Sequence, residues 1–128
     1  MFENPSAERM AIEMTYEDTA TIYRTVPQTG VDGLTQAVLA EVYQGIVCGL
    51  SRTGGESSGQ TKAQNNVDYD AVIFAAPELQ VLPGDRVSLQ RFGRDNPDSR
   101  HILHFAVVGC PAVYATHQEV RVKDGDLA

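Results

Sequence analysis

Three kinds of side chain in this sequence could carry chemistry: histidines, paired acids and cysteines. His101 and His104 stand three apart in an apolar, strand-like run. On a strand that spacing sends them to opposite faces, so they cannot grip one metal ion together. His117 is followed by Gln118 and Glu119, an acid it could pair with, but there is no serine or cysteine nucleophile motif for it to serve. Asp68 and Asp70 flank Tyr69 and share one strand face, a spacing that suits a cation or an acid–base pair but equally a solvated face. Glu17-Asp18 is the other acidic pair. Gly54-Gly55 is followed by neither the lysine of a phosphate-binding loop nor a helix start. Cys48 and Cys110, the only cysteines, lie in the apolar runs Ile46-Val47-Cys48 and Val108-Gly109-Cys110. They read as two buried thiols in a reducing cytoplasm. No catalytic constellation is legible, so the chain is expected not to be an enzyme and to need no metal or cofactor.

The elements that would position these residues are short strands. The 128 residues make one domain. Residues 1–17 form an N-terminal arm, either a short helix over 7–14 capped by Ser6 or an extended segment ordered by a partner. From Asp18 the run Thr19-Ala20-Thr21-Ile22-Tyr23-Arg24-Thr25 is β-branched and aromatic. Pro27 and the glycines at 30 and 33 are expected to break it, and 33–40 reads as a helical turn or as the approach to a strand. Further strands are expected over 41–51, 67–75, 86–92, 101–109 and 116–123. Gly45 and Gly49 mark a bulge or a close approach. Leu82-Pro83-Gly84-Asp85 and Asn96-Pro97-Asp98 are turns. The tail 124–128 is expected to be loose. The fold class is therefore all-β: a small β-barrel of about six strands.

One segment stands apart. Residues 51–66 hold Ala63 as their only aliphatic side chain and cannot bury enough surface to offset their ordering entropy. A long flexible inter-strand loop is expected there. It carries Arg52 and Lys62 against Glu56, whereas the whole chain has a net charge of −7 and a pI near 4.8. An acidic body repels the phosphate backbone, which argues against an ordinary DNA-binding domain but not against a protein that DNA slides past. No signal-peptide pattern opens the chain and no stretch is long and apolar enough for a membrane span, so it is expected to work in solution, away from membranes.

The order of these features over 18–123 resembles the head-closure and head–tail connector proteins of tailed bacteriophages, also described as neck or minor capsid proteins. The features are the strand Asp18-Thr19-Ala20-Thr21-Ile22-Tyr23-Arg24, then Val42-Tyr43-Gln44-Gly45-Ile46-Val47-Cys48 leading into the polar loop. They continue with Asp68-Tyr69-Asp70-Ala71-Val72-Ile73-Phe74, Leu82-Pro83-Gly84-Asp85-Arg86-Val87 and a closing His117-Gln118-Glu119-Val120-Arg121-Val122. The resemblance implies a virion protein, made in the host cytoplasm, that forms a homo-oligomeric ring of twelve copies under the portal. A portal or adaptor protein would lie above it, and a tail terminator or other tail protein below. Packaged double-stranded DNA would pass through the channel, retained by the ring as stopper or adaptor. It implies that the loop faces that DNA, with Arg52, Gly54, Gly55, Glu56, Gly59, Lys62, Gln64 and Asn65 as candidates. Ring closure needs a heterologous interface. Strands 41–51 and 67–75, or the N-terminal arm, are candidate elements for it by strand addition, with Tyr23, Tyr43, Asp68, Asp70 and His117 as candidate side chains. Many relatives have a shorter stretch at 28–40, which leaves the layer open between adaptor, stopper and terminator.

A tail terminator or tail-completion protein is the nearest alternative. An OB-like ligand-binding barrel is the second, but it needs exposed aromatics in a basic groove, and this chain has no Trp and the opposite charge.

Overall fold

The computed structural model describes residues 5–52 and 69–125. The order is α1 (Pro5–Glu13), β1 (Asp18–Thr29), β2 (Thr35–Arg52), β3 (Ala71–Ala75), β4 (Arg86–Gln90), β5 (Ile102–Val107), β6 (Ala112–Val113) and β7 (Gln118–Asp124). All strand pairings are antiparallel, in the order β3-β2-β1-β4-β5-β7-β6, and a further pairing of β3 with β7 closes six strands into a barrel. The expected all-β barrel of about six strands is the fold observed.

Period-two alternation explains why these residues close around one core. Ala20 and Ile22 of β1, Ala71, Ile73 and Ala75 of β3, Val87 and Leu89 of β4, Phe105 and Val107 of β5, and Val120 and Val122 of β7 all turn inward. Their neighbours in sequence turn out. Cys48 joins them from β2. Three buried polar side chains sit where the strands end, and each is satisfied. Asp18 accepts the Phe92 N–H at 2.8 Å, and Gln118 donates to the Ala76 and Leu79 carbonyls at 2.8 and 2.7 Å. Asp85 accepts the Leu82 N–H at 2.9 Å across the Pro83-Gly84 turn, where Gly84 takes φ +91° as that turn requires.

Gly45 and Gly49 serve the two purposes expected of them. Between Ala20 and Ile22 the register with β2 slips by one residue, and Gly45 takes φ +64° in the resulting bulge. At Gly49 a Cβ would lie 3.0 Å from Tyr16 Cδ1, so any larger residue there would have to push the Tyr16 ring back from β2.

The expectations for Pro27, the Ser6 cap and Cys110 are corrected, and the alternatives left open for 33–40 and for the N-terminal segment are decided. Pro27 does not end β1: it pairs with Ala37 inside the ladder, on a stretch where no described strand takes the other edge. Residues 35–40 are strand, the first part of β2. The N-terminal segment is helical rather than extended. The helix begins at Pro5, so Ser6 lies inside it rather than capping it; Arg9 pairs with Glu13 within the helix at 2.8 Å and ties the helix to the barrel through Glu78. Cys110 is exposed, because it lies in the turn between β5 and β6; only Cys48 is a buried thiol.

Candidate functional site

The β1–β2 pair runs far beyond the barrel wall. β4 pairs with β1 only from Thr19 to Tyr23, and β3 pairs with β2 only from Gly49 to Arg52. The ladder nonetheless continues from Arg24↔Ala40 to Thr29↔Thr35. At about 3.4 Å per residue, this two-stranded arm projects roughly 20 Å past the last strand that supports it. Its turn is well formed. The Gly30 N–H donates to the Leu34 carbonyl at 2.9 Å, the Leu34 N–H donates to Asp32 Oδ1 at 3.0 Å, and Gly33 takes φ +83°. At the tip Val31 is fully exposed and Leu34 is 63% exposed; nearer the root Leu39 is 41% exposed.

The arm is fixed at its root. The Arg24 guanidinium grips both Asp85 oxygens, Nε at 2.9 Å and Nη2 at 2.8 Å, and Nη2 also donates to the Gln80 carbonyl at 2.9 Å. The Asp85 hydrogen bonds raise the Arg24 pKa. The Tyr43 hydroxyl accepts the Gln80 N–H at 2.9 Å. One short segment, 80–85, therefore holds both strands of the arm where they leave the barrel.

The other end of the barrel carries the segment singled out by the sequence. Of the eight loop candidates only Arg52 lies among the described residues; Gly54, Gly55, Glu56, Gly59, Lys62, Gln64 and Asn65 lie outside them. Ser51 and Arg52 themselves belong to β2. Arg52 meets Asp124 at 3.3 Å and lies 5.8 Å from the Phe105 ring centroid. Asp70 accepts the Asp124 N–H at 2.8 Å at the same end. Beside Arg52 an open groove is lined by Leu50, Arg91, Phe92, His101 and Leu103. Phe92 holds a left-handed φ of 63°, set by its N–H bond to Asp18. Arg91 meets Asp18 at 3.3 Å and lies over the Phe92 ring at 5.0 Å.

The interface candidates therefore divide between two ends. Tyr23 and Tyr43 stand at the root of the arm. His117 precedes Gln118 at that same end, stacked on Tyr114 at 5.1 Å, tilted against Phe74 at 5.9 Å and bonded to Glu119 at 3.1 Å. Asp70 is at the opposite end, and Asp68 lies outside the described residues. The strand expected over 67–75 offers no free edge over Ala71–Phe74, because β2 and β7 occupy both sides. Sequence reasoning missed the arm. Its signal was present in the run 33–40, which is free of charge and rich in β-branched and aliphatic residues, but Pro27 masked it.

No family profile and no curated protein matches the chain. Among solved structures, it is similar to protein SF1141 from Shigella flexneri 2a, with a TM-score of 0.63 at 10% identity, covering 88% of this chain and 96% of that one. That likeness is one of fold. A second match is the phage-like element PBSX protein xkdH from Bacillus subtilis, at a TM-score of 0.43 and 11% identity over 83% of this chain and 91% of that one. Among the described residues no helix is long and apolar enough to cross a membrane, and no group of three or more His, Cys, Asp or Glu is placed to hold a metal ion.

Proposed function

We propose that this chain is a structural, non-catalytic protein of a phage head–tail interface. It forms a ring under the portal that helps retain packaged DNA and presents a docking layer to the tail. The reading draws on the order of sequence features over 18–123. The observation that carries it is geometric: the arm 24–40 leaves one end of the barrel, and β2 ends at the opposite end, at Arg52. A subunit that must contact other layers and its own neighbours needs an element that reaches beyond its core, as the arm does. Its acidity suits a channel wall that DNA slides past without gripping. On this reading the segment that starts at Arg52 meets the DNA, and the partners are the portal or adaptor on one side and a tail protein on the other.

Removal of residues 54–63 tests the DNA-facing role. No described core residue is lost, so the variant should fold and bind DNA-filled heads that lack tails. Those heads should then release DNA faster than heads carrying the full chain. Equal retention by both would remove the DNA-facing role from this segment.

A further inference from the structure

We infer that the arm 24–40 is the surface through which copies of this chain join, its β1 edge pairing with the β2 edge of the next copy. The inference rests on the ring-forming reading above and names the element that closes the ring.

Four observations lead there. First, both edges of the arm are open. No described strand pairs with β1 beyond Tyr23 or with the first part of β2, so among the described residues a row of backbone donors and acceptors has no strand partner on either side. Second, the edges lack the devices that discourage pairing. In residues 25–40 Asp32 is the only charged side chain, in a chain that is 21% charged. Exposed edges are ordinarily guarded by lysines, inward charges or a covering element; here Pro27 alone serves. Third, two strands projecting by themselves are marginal in water, and this pair exposes Val31, Leu34 and Leu39. Fourth, the charge argues for a second copy. Each copy carries −7, so like subunits repel over most of their surface, and the nearly uncharged arm is where they approach at least cost.

Direction decides how the copies meet. β1 runs outward along the arm and β2 runs back. In a ring generated by rotation about an axis along the arms, every copy keeps that sense. The outward β1 of one copy then faces the inward β2 of its neighbour, and the junction is antiparallel, like the pairing inside each arm. Repeating the step gives an alternating up-and-down cylinder with no edge left over. A two-fold pairing would join β1 to β1 or β2 to β2 and leave one edge open on each copy. Heterologous closure is therefore the arrangement that satisfies both edges.

The experiment compares the full chain with a variant in which 27–37 are replaced by a two-residue Asn-Gly turn. None of those residues belongs to the core cluster, and circular dichroism and thermal unfolding establish that the variant folds. Mass is measured by light scattering alone and on DNA-filled heads without tails. We expect the full chain to form a closed oligomer and the shortened one to stay monomeric in both settings. A shortened chain that still forms the ring would overturn the arm as the interface while leaving the ring intact. A full chain that remains monomeric in solution and on heads would remove the ring reading, and this inference with it. Cysteine pairing then tests the geometry in a Cys110→Ser background. Gln28→Cys chains are mixed with chains carrying one added cysteine at one of positions 35–40, the remaining native Cys48 being buried. Disulfides between a β1 cysteine and a β2 cysteine are expected, and cross-links confined to β1 with β1 would overturn the heterologous arrangement.

Discussion

The grip of Arg24 on Asp85 makes the root of the arm the place where one substitution should matter most. Asp85 is 2% exposed and accepts three hydrogen bonds, from Arg24 Nε at 2.9 Å, Arg24 Nη2 at 2.8 Å and the Leu82 N–H at 2.9 Å. Asp85→Ala removes all three. A fully buried pair broken on one side costs about 3–5 kcal/mol. The Arg24 side chain is 24% exposed and keeps its bond to the Gln80 carbonyl, so water and that carbonyl recover part of the loss. The orphaned Leu82 N–H adds to it, so the expected net cost is roughly 2–4 kcal/mol. With a urea slope of about 1–3 kcal/mol/M, the unfolding midpoint should fall by about 1–2 M. Arg24→Met should cost at least as much, because it strands the Asp85 carboxylate, which is 2% exposed and keeps the Leu82 N–H as its remaining partner. The Arg24→Met/Asp85→Ala double variant should be more stable than the sum of the two single losses by about 1–3 kcal/mol, since neither charge is stranded. Urea unfolding of the four proteins measures this directly. A cost under about 0.5 kcal/mol for Asp85→Ala, comparable to an ordinary surface change, or strict additivity in the cycle, would show that the arm is not anchored in this way.

Three further outcomes follow from particular contacts. Gly49→Val should destabilise by about 1–3 kcal/mol, because even its Cβ would lie 3.0 Å from the Tyr16 ring and the γ-methyls must be fitted as well; thermal unfolding reads it. Burial pushes the Cys48 thiol up to about 12, whereas Cys110 is exposed. Iodoacetamide on the folded protein should therefore modify Cys110 and spare Cys48 until urea is added. The unfolded chain loses the Cys48 proton near the ordinary thiol value of 9 while the folded chain keeps it, so stability should fall as pH rises from about 9 towards 12. The Arg9 hydrogen bonds hold the Glu78 carboxyl below its ordinary value. That contribution to docking α1 is present above the ordinary carboxylate pKa and is lost as pH falls through the lowered one. Protection factors over 5–13, corrected for the intrinsic pH dependence of exchange, should fall on acidification, and Glu78→Gln should remove that step.

The barrel was legible because its strands obey a simple rule. β3, β4 and β7 alternate strictly, and the Pro83-Gly84 pair marks the turn before β4, so period and turn chemistry agree. The bulge at Gly45 and the close approach at Gly49 were legible for the same reason, since each glycine interrupts an otherwise well-patterned strand. The arm was not. A proline ordinarily ends a strand because it cannot donate to a ladder, but that rule weakens where one side of the strand has no ladder to join. β6 is two residues long and carries no period. The N-terminal helix follows from contacts that sequence spacing does not reveal, such as Arg9 reaching Glu78. As for the site, the sequence drew attention to the polar stretch after Arg52. The nearly uncharged stretch of 25–40 was visible only as an insertion, because an edge is a property of pairing and not of composition.

The most direct test of the head–tail reading is to mix the purified chain with DNA-filled, tailless heads and image the vertices after sedimentation. The account predicts saturable binding at one vertex per head, as a single rotationally symmetric ring beneath the portal, followed by recovery of tail attachment. Binding that is absent, scattered over the shell, or stoichiometric with free oligonucleotides would contradict it.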